Sequence, residues 1–295
     1  TYGESGFNIH SDLIAQLRFP KVVVCIFAGG ILAIAGLIMQ IFFQNPLAGP
    51  DILGVSSGSS LFVAIGLMSG VSISSTYSYL GMSLMSFLGA FSVFLLLLFF
   101  IQKNMSKISL IIIGVLISSF TSSGISVLVN MSQALQLKNF LIWSMGSFRN
   151  VTLWDLPRFF MFSCFSILPI FFLLKPLNQY MLTENYAKSM GVNIKKAKYQ
   201  FITLAAFQIS IVTLFCGPIG FIGIIAPHLA RNFLKHSSLN ELLPATFLTG
   251  AGLSLFAEGI LVLNPSLSLS VNAILGLIGA PVIVFYLYRQ RKWGM

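Results

Sequence analysis

Long apolar segments, each about 18–23 residues and separated by short polar connections, fill most of this 295-residue sequence. Charged residues make up only 8% of the chain and hydrophobic residues 56%, whereas charged residues are about 25% of a soluble domain. A segment of about 20 apolar residues is long enough to cross the hydrocarbon core of a bilayer as a helix. The sequence therefore predicts an all-α membrane protein, a polytopic helical bundle.

The hydropathy pattern predicts nine membrane spans, at residues 22–43, 57–71, 79–101, 108–130, 157–174, 199–217, 220–233, 242–263 and 271–288. The second and the seventh are short for a full crossing, and the seventh follows Gly217-Pro218, a pair of residues that predicts a break between helices. Short or interrupted helices often lie at the working centre of a transporter. These two spans are therefore the first places to look for function.

Basic residues are unevenly divided between the two sets of connections, and this predicts the orientation of the chain. The richer set, which we expect to be cytoplasmic together with the C-terminus, comprises Lys103, Lys107, Lys175, Lys188, Lys195, Lys196, Lys198, Arg231, Lys235, Arg289, Arg291 and Lys292. The poorer set comprises Arg18, Lys21, Lys138, Arg149 and Arg158. The net charge of +10 is explained by this asymmetry, so it does not indicate nucleic-acid binding. Nine spans that end inside place residue 1 outside, so we expect residues 1–21 to be extracytoplasmic and one further helix to precede them.

The sequence carries no nucleotide-binding or metal-binding motif. It has no G-x-x-x-x-G-K-[ST] loop and no H-E-x-x-H motif, and its three cysteines lie in separate apolar segments. Residues 54–58 spell G-x-S-x-G, but no histidine lies in the middle of a predicted span, where it could act as the base that a serine nucleophile needs. We therefore expect no catalytic residue, metal site or cofactor in this chain, and we do not expect the chain itself to be an enzyme.

Glu258 is the only carboxylate within a predicted span. Ionisable groups inside a membrane are costly and usually functional, so Glu258 could serve a stand-alone, proton-coupled secondary transporter. It also lies near the outer end of the span 242–263, where a structural role is the alternative. The sequence leaves both open.

Residues 183–196, TENYAKSMGVNIKK, predict a short helix outside the membrane on the cytoplasmic side. Thr183 is suited to cap its N-terminus, Glu184 follows in the first turn, and Gly191 and the lysines after it are typical of a C-terminal end. A many-span protein without a nucleotide site of its own is often one subunit of a machine whose energy comes from a separate subunit, and this helix is a candidate for docking one. A solvated connector has the same composition, so the pattern alone does not choose between them.

Several motifs, in order along the chain, resemble those of one family. They are QLRFPK at 16–21, LIMQIFFQNPLAGPDILGVSSGSSL at 37–61, WSMGSF at 143–148, YAKSMGV at 186–192, GPIGFIGIIAPHLAR at 217–231, LLPATFLTGAGLSLFAE at 242–258 and GLIGAPVIVFYLYR at 276–289. The chain resembles the permease subunits of ABC importers for iron–siderophore complexes, haem and vitamin B12, the FecCD-type or type II importers. The resemblance implies a single transmembrane permease domain over residues 1–295, in a family with ten helices per subunit, of which the first is absent here.

The resemblance also implies roles for particular residues. Docking of a binding protein would involve Arg18 and Lys21, and the cytoplasmic gate would involve Asn45, Leu47 and Ser106. Within a coupling helix at 183–196, the residues that couple to the ATPase would be Glu184, Ala187 and Gly191. Structural turns and close helix contacts would need Pro46, Pro50, Gly54, Gly58, Gly217 and Pro218.

The resemblance further implies a machine in a bacterial plasma (inner) membrane. The chain would pair with a second permease subunit, as a homodimer or heterodimer, and would import a ferric siderophore by alternating access. Haem and cobalamin are alternative substrates. Two cytoplasmic subunits would bind ATP and Mg, an extracytoplasmic binding protein would deliver the substrate, and no nucleic acid would take part.

The sequence departs from the family pattern in three places. Ser268-Leu269-Ser270 stands where relatives usually carry Glu-Leu-Pro, Asn272 replaces a usual glycine, and Val262 occupies a third basic docking position. We therefore expect docking of the binding protein to be asymmetric or to depend on a partner subunit.

Overall fold

The computed structural model describes residues 18–68, 78–103, 105–234, 238–263 and 269–293. Most of the predicted segment 1–21, together with Lys235 and Ser268, lies outside these ranges. Within them the chain forms eleven α-helices: α1 Phe19–Phe43, α2 Val55–Met68, α3 Ser78–Gln102, α4 Lys107–Met131, α5 Ala134–Ser144, α6 Leu156–Leu182, α7 Glu184–Ser189, α8 Ile194–Cys216, α9 Ile222–Leu234, α10 Leu239–Leu263 and α11 Val271–Trp293. Short 3-10 turns lie at Pro50–Leu53 and Phe148–Asn150. No strand is found in the described ranges, so the predicted helical class is confirmed.

Six of the described helices, α1, α3, α4, α6, α8 and α10, are long and apolar enough to cross a membrane. Helices α2 and α11 contribute shorter apolar segments. All nine predicted spans correspond to helices, and the two that were predicted to be short are the 14-residue α2 and the 13-residue α9. The polytopic architecture therefore follows from the hydropathy pattern.

Three predicted boundaries were wrong. Helix α6 continues past the predicted end at residue 174 to Leu182 even though it contains Pro176, because Leu177 and Tyr180 continue its buried face. Helix α8 begins at Ile194, where Asn193 caps it by accepting a hydrogen bond from the Lys196 N–H. Residues 194–196 therefore belong to α8, and the predicted external segment 183–196 is shortened to α7 and a four-residue connection.

Helix α5 was not predicted at all. It has eleven residues and begins at a capping box formed by Gln133 and Gln136. Polar residues alternate with its apolar ones, and only Phe140 and Trp143 are buried. A helix of this length spans about 16 Å, which is too short to cross a bilayer.

Helix α1 is the centre of the bundle. Every residue from Ala28 to Phe43 is buried, and α1 packs against α6, α8, α9 and α10. Glycines allow these close approaches: a Cβ added at Gly36 would collide with the backbone of Gly223 in α9, and one at Gly29 with the backbone of Gly250 in α10. Small residues at such crossings let helix backbones come together where lipid supplies no hydrophobic force between helices.

The connections between helices separate into two ends of the bundle. At one end, which we call the α7 side, the ring of Phe42 stacks on Tyr180 and the carboxylate of Glu184 pairs with Lys107 and Lys198. At the other end, the Arg149 side, Ser147 N–H donates to the Cys216 carbonyl and Arg149 pairs with Glu258. The predicted lysine-rich connections that are described lie on the α7 side.

Candidate functional site

The connection between α1 and α2, residues 44–54, is a built turn on the α7 side. Helix α1 ends at Gln44, which has a left-handed backbone with φ of 52°. The side-chain oxygen of Asn45 then accepts the Leu47 N–H at 2.9 Å, and the Asn45 carbonyl accepts the Ala48 N–H. Asn45 therefore closes the turn with its own side chain, as asparagine does in an Asx turn.

Polar side chains of α1 and α9 form hydrogen bonds at and next to this turn. Nε2 of His228 donates to the Pro46 carbonyl at 2.8 Å, and Nη1 of Arg231 donates to Oε1 of Gln40 at 2.8 Å. The Gln40 amide also donates to the Ile224 carbonyl at 3.2 Å. Sequence reasoning assigned no role to Gln40, His228 or Arg231, although a glutamine inside an apolar span was a visible signal. The His228 hydrogen bond fixes the turn 44–54 to α9, and the two Gln40 hydrogen bonds fix the end of α1 to α9.

The return into α2 depends on two glycines. Gly54 has a left-handed backbone with φ of 71° and its N–H donates to the Asp51 carbonyl, which ends the 3-10 turn begun by Pro50. A Cβ at Gly58 would meet Val93 and the backbone of Gly89 in α3. Gly54 therefore lies in the turn before α2, and Gly58 lies at the contact between α2 and α3.

The break between α8 and α9 is bridged by a side chain from α11. Gly217 has φ of 74° and lies against the Trp143 carbonyl, which leaves no room for a Cβ. Nδ2 of Asn272 donates to the Pro218 carbonyl at 2.8 Å, and its Oδ1 accepts the Gly220 N–H at 3.0 Å. Asn272, noted above only as a departure from the family pattern, thus satisfies two backbone groups that the broken helix leaves free.

Helix α7 lies outside the long helices and has two different faces. Thr183 caps it, because its Oγ1 accepts the Tyr186 N–H at 3.0 Å. Ala187 is fully buried against the bundle, whereas Tyr186 and Lys188 are exposed. Gly191, exposed and with φ of 81°, ends the segment, and no atom lies close to the position of an added Cβ.

Glu184 belongs to the inward face of α7. Its two carboxylate oxygens pair with Nζ of Lys107, the first residue of α4, at 2.9 Å and with Nζ of Lys198 in α8 at 3.0 Å. Partial burial alone would raise the pKa of Glu184, but the hydrogen bonds from the two lysines outweigh it and lower the pKa to about 2. Glu184 is therefore ionised at any physiological pH.

The predicted gate residues have these positions in the structure. Asn45 and Leu47 are partly buried in the turn 44–54. Ser106 caps α4: its Oγ accepts the Ser109 N–H at 3.1 Å and lies 2.9 Å from the Ser109 hydroxyl. All three lie on the α7 side, and the hydrogen bonds described for Ser106 go to its own helix.

On the Arg149 side, Arg18 is exposed and Lys21 is partly buried at the start of α1. Nε of Arg149 donates to Oε1 of Glu258 at 2.8 Å; the Arg149 side chain is 45% exposed and that of Glu258 only 8%. Glu258 is therefore half of an ion pair that joins α10 to the 3-10 turn Phe148–Asn150. This favours the structural role for Glu258 that the sequence left open.

Helix α4 presents polar groups outward over its second half. The side chains in question are exposed and follow helical spacing along one face: Ser119, Ser122, Ser123, Ser126 and Asn130. Some satisfy themselves locally, since the Asn130 amide donates to the Ser126 carbonyl at 2.9 Å. We call these five residues the α4 polar stripe.

Long apolar helices, a broken helix at the bundle centre and a short external helix define a class: a multi-pass helical membrane transport component. Comparison with known proteins gives the family, since the model of the FecCD transport family matches residues 3–289. The chain belongs to this family, and it is a permease subunit of an ABC importer.

Individual relatives agree with this family. The chain is similar to the molybdate import system permease protein MolB of Haemophilus influenzae, with 30% identity over 97% of this chain and 84% of MolB. It is also similar to the Fe(3+) dicitrate transport system permease protein FecD of Escherichia coli K12, with 30% identity over 96% of this chain and 87% of FecD. A solved structure described as an inward-facing conformation of a putative metal-chelate type ABC transporter superposes with a TM-score of 0.84, at 28% identity, over 97% of this chain and 92% of that one.

Proposed function

We propose that this permease subunit pairs with a second copy or a close relative and forms the path along which a ferric siderophore crosses the membrane. An external binding protein delivers the substrate, and two ATP-binding subunits drive alternating access. The observation that carries the proposal is the α4 polar stripe, because exposed polar groups on a long apolar helix support a water-filled path along that face.

The stripe is costly if it faces lipid. Helix α4 is long and apolar enough to span a membrane, yet its buried residues within the chain are Leu110, Gly114 and Thr121 alone. Hydroxyl and amide groups at membrane depth are normally turned towards a protein partner or a water-filled cavity. We infer that α4 faces the partner subunit across the translocation path, with the five polar side chains lining that path.

The outward face of α7 suits contact with an ATP-binding subunit. Asn185, Tyr186, Lys188 and Ser189 are exposed together, on the side opposite to Ala187. An exposed tyrosine beside a lysine on a short, capped helix gives an amphipathic contact of the kind found at protein interfaces. This proposal makes the α7 side cytoplasmic, which agrees with the positive-inside rule and puts the C-terminus of α11 in the cytoplasm.

Two further sites follow from the same orientation. Arg18 and Lys21 lie on the Arg149 side, which would face the binding protein, and their charge suits carboxylates on it. Asn45, Leu47 and Ser106 lie on the cytoplasmic side, where we propose that the gate closes beneath the substrate. A rigid turn such as 44–54 is suited to this task because its hydrogen bonds fix the direction of Leu47.

The substrate is proposed from the relatives. FecD is named for Fe(3+) dicitrate and the similar solved structure is described as metal-chelate type, so a metal chelate is the cargo class that two of the three comparisons share, and the metal that one of them names is Fe(3+). MolB is named for molybdate, which shows that this architecture also serves other cargo. Haem and cobalamin are the alternatives to a ferric siderophore.

The test is purification of the chain from native membranes, followed by an assay of ATP hydrolysis in what co-purifies. We expect a nucleotide-binding subunit in stoichiometric amount, and we expect it to be lost when Tyr186 and Lys188 on the outward face of α7 are both changed to alanine. The matched control is Tyr199→Ala with Lys195→Ala, an exposed pair on the first turns of α8. A chain that purifies alone and hydrolyses no ATP with any partner would contradict the proposal.

Substrate assignment needs a second step. The complex, with its binding protein, is reconstituted in liposomes and supplied in turn with ⁵⁵Fe-ferrichrome, hemin, cobalamin and molybdate. ATP-dependent uptake of the first is expected. Uptake of one of the other three alone would replace the siderophore while leaving the permease role intact.

A further inference from the structure

Lys107 is an anomaly in the first turn of α4. The N-terminus of a helix carries a partial positive charge, so a cation there is unfavourable and a carboxylate is preferred. Lys107 is nevertheless the first residue of α4, directly after the capping Ser106, and its side chain is only 16% exposed. A buried cation in this position needs compensation from outside its own helix.

The compensation comes from three other elements. Glu184 of α7 supplies a carboxylate at 2.9 Å, and Lys107 Nζ lies 4.8 Å from the centre of the Tyr180 ring and 5.9 Å from that of Phe42. Both rings are fully buried. Lys107 is therefore held by the ends of α1 and α6 as well as by α7, through cation–π contacts and an ion pair.

Glu184 also pairs with a lysine of a second helix, α8. Its other oxygen binds Lys198 in the second turn of α8, at 3.0 Å, and the Lys198 side chain is 21% exposed. One carboxylate on α7 thus neutralises two lysines that lie near the N-termini of α4 and α8. If α7 moved away, both lysines would lose this carboxylate.

We propose that Glu184 is a positioning residue that makes α7, α4 and α8 move as one body, and that it does not itself contact the ATP-binding subunit. The inference rests on the proposed function. A displacement of α7 by ATP then passes through the Lys107–Glu184–Lys198 cluster to the first turn of α4. That turn carries Ser106, and the same helix carries the α4 polar stripe, so the cluster joins the energy source to the path.

The test uses the permease in complex with its ATP-binding subunit in nanodiscs. Ile108, beside Lys107 and 71% exposed, is changed to cysteine in a variant whose Cys25, Cys164 and Cys216 are alanine, and is labelled with an environment-sensitive fluorophore. We expect ATP with vanadate to shift the fluorescence of this label. In Glu184→Gln the shift should fall at least threefold, while the ATP-binding subunit stays bound and hydrolysis stays within about twofold of the parent.

Two further variants provide a control and a smaller expected loss of the fluorescence shift. Lys195→Met removes an exposed lysine one turn before Lys198 and should leave the shift unchanged. Lys198→Met removes one of the two pairs and should reduce the shift less than Glu184→Gln does, which keeps the test open if the latter folds poorly.

Each other outcome overturns the inference. Loss of the ATP-binding subunit from well-folded Glu184→Gln would make Glu184 a direct contact. An undiminished shift would show that the cluster transmits nothing. Absence of a shift in the parent, with hydrolysis intact, would show that α7 does not drive α4, and it would leave the permease assignment standing.

Discussion

Single polar side chains inside this bundle form hydrogen bonds that join distant parts of the chain. Gln40, His228 and Asn272 each bond to backbone carbonyls or polar groups of another element. A buried donor or acceptor without its partner costs about 1–3 kcal/mol. These residues therefore supply partners to the irregular backbone at 44–54 and 217–221.

The Arg149–Glu258 pair gives a prediction about stability. Arg149→Met leaves the Glu258 carboxylate buried without its cation, so the apparent melting temperature in detergent should fall, by an amount equivalent to about 1–3 kcal/mol because Arg149 is half-exposed. Adding Glu258→Gln removes the stranded charge, and the double variant should recover most of the loss. A double variant less stable than Arg149→Met would contradict this account.

Glu184 gives a prediction about pH. Its carboxyl has a pKa of about 2 in the folded protein against 4.5 ordinarily, so its ion pairs stabilise the fold fully above pH 4.5 and are lost as the pH falls through 2. The difference in melting temperature between the native protein and Glu184→Gln should therefore be constant from pH 5.5 to 8. A difference that shrinks within this window would show that the carboxyl is not held in its charged form.

Close contacts between whole helices depend on glycine at few positions. In Gly36→Ala the new Cβ meets the backbone of Gly223, which has no flexible end to yield, so α1 and α9 must separate, at a cost of about 1–3 kcal/mol or more. In Gly252→Ala, on the exposed face of α10, nothing lies within reach of the Cβ, and a small gain from helix propensity is expected. Thermal unfolding of both variants measures the contrast; equal effects would refute the close α1–α9 contact.

The helices that hydropathy predicts are those whose whole length is apolar. Helix α5 was not predicted because Gln136, Lys138 and Asn139 interrupt its apolar sequence. The helix begins at a capping box, which composition alone does not reveal. The end of α6 was missed because Lys175 and Pro176 are typical terminators, and only packing of Tyr180 against Phe42 and Phe201 shows why the helix continues.

The functional residues also fall into two groups, those that a local motif reveals and those that depend on long-range contacts. Prolines and glycines indicate turns from the local sequence alone, so the turn at 44–54 and the helix break at 217–218 could be predicted. The ion pairs of Glu184 join residues 77 and 14 positions apart in sequence, from Lys107 and to Lys198, and no local pattern contains that information. Even the motif resemblance placed Glu184 among the coupling residues without showing that it faces inward.

At the scale of the whole molecule, the α4 polar stripe predicts which surface of the chain is accessible to water in the assembled complex. Cysteines placed at Ser119, Ser122 and Ser126 in the assembled complex should react with a membrane-impermeant maleimide, because these positions would line an aqueous path. A cysteine at Phe172, which is 85% exposed on the apolar face of α6, should not react because it would face lipid. Equal protection at all four positions would place the path elsewhere.

The burial of α1 has a consequence for biosynthesis. Helix α1 has the highest mean hydropathy of the spans, 2.8, and is also the most enclosed. Gly29 on α1 meets Gly250 on α10, a residue that the ribosome adds 221 positions later, so at about 5–20 residues per second α1 waits roughly 10–40 s for this neighbour. During that interval α10 cannot cover the Gly29 face of α1, and a nascent chain stalled before residue 239 would leave that face open to other helices in the membrane.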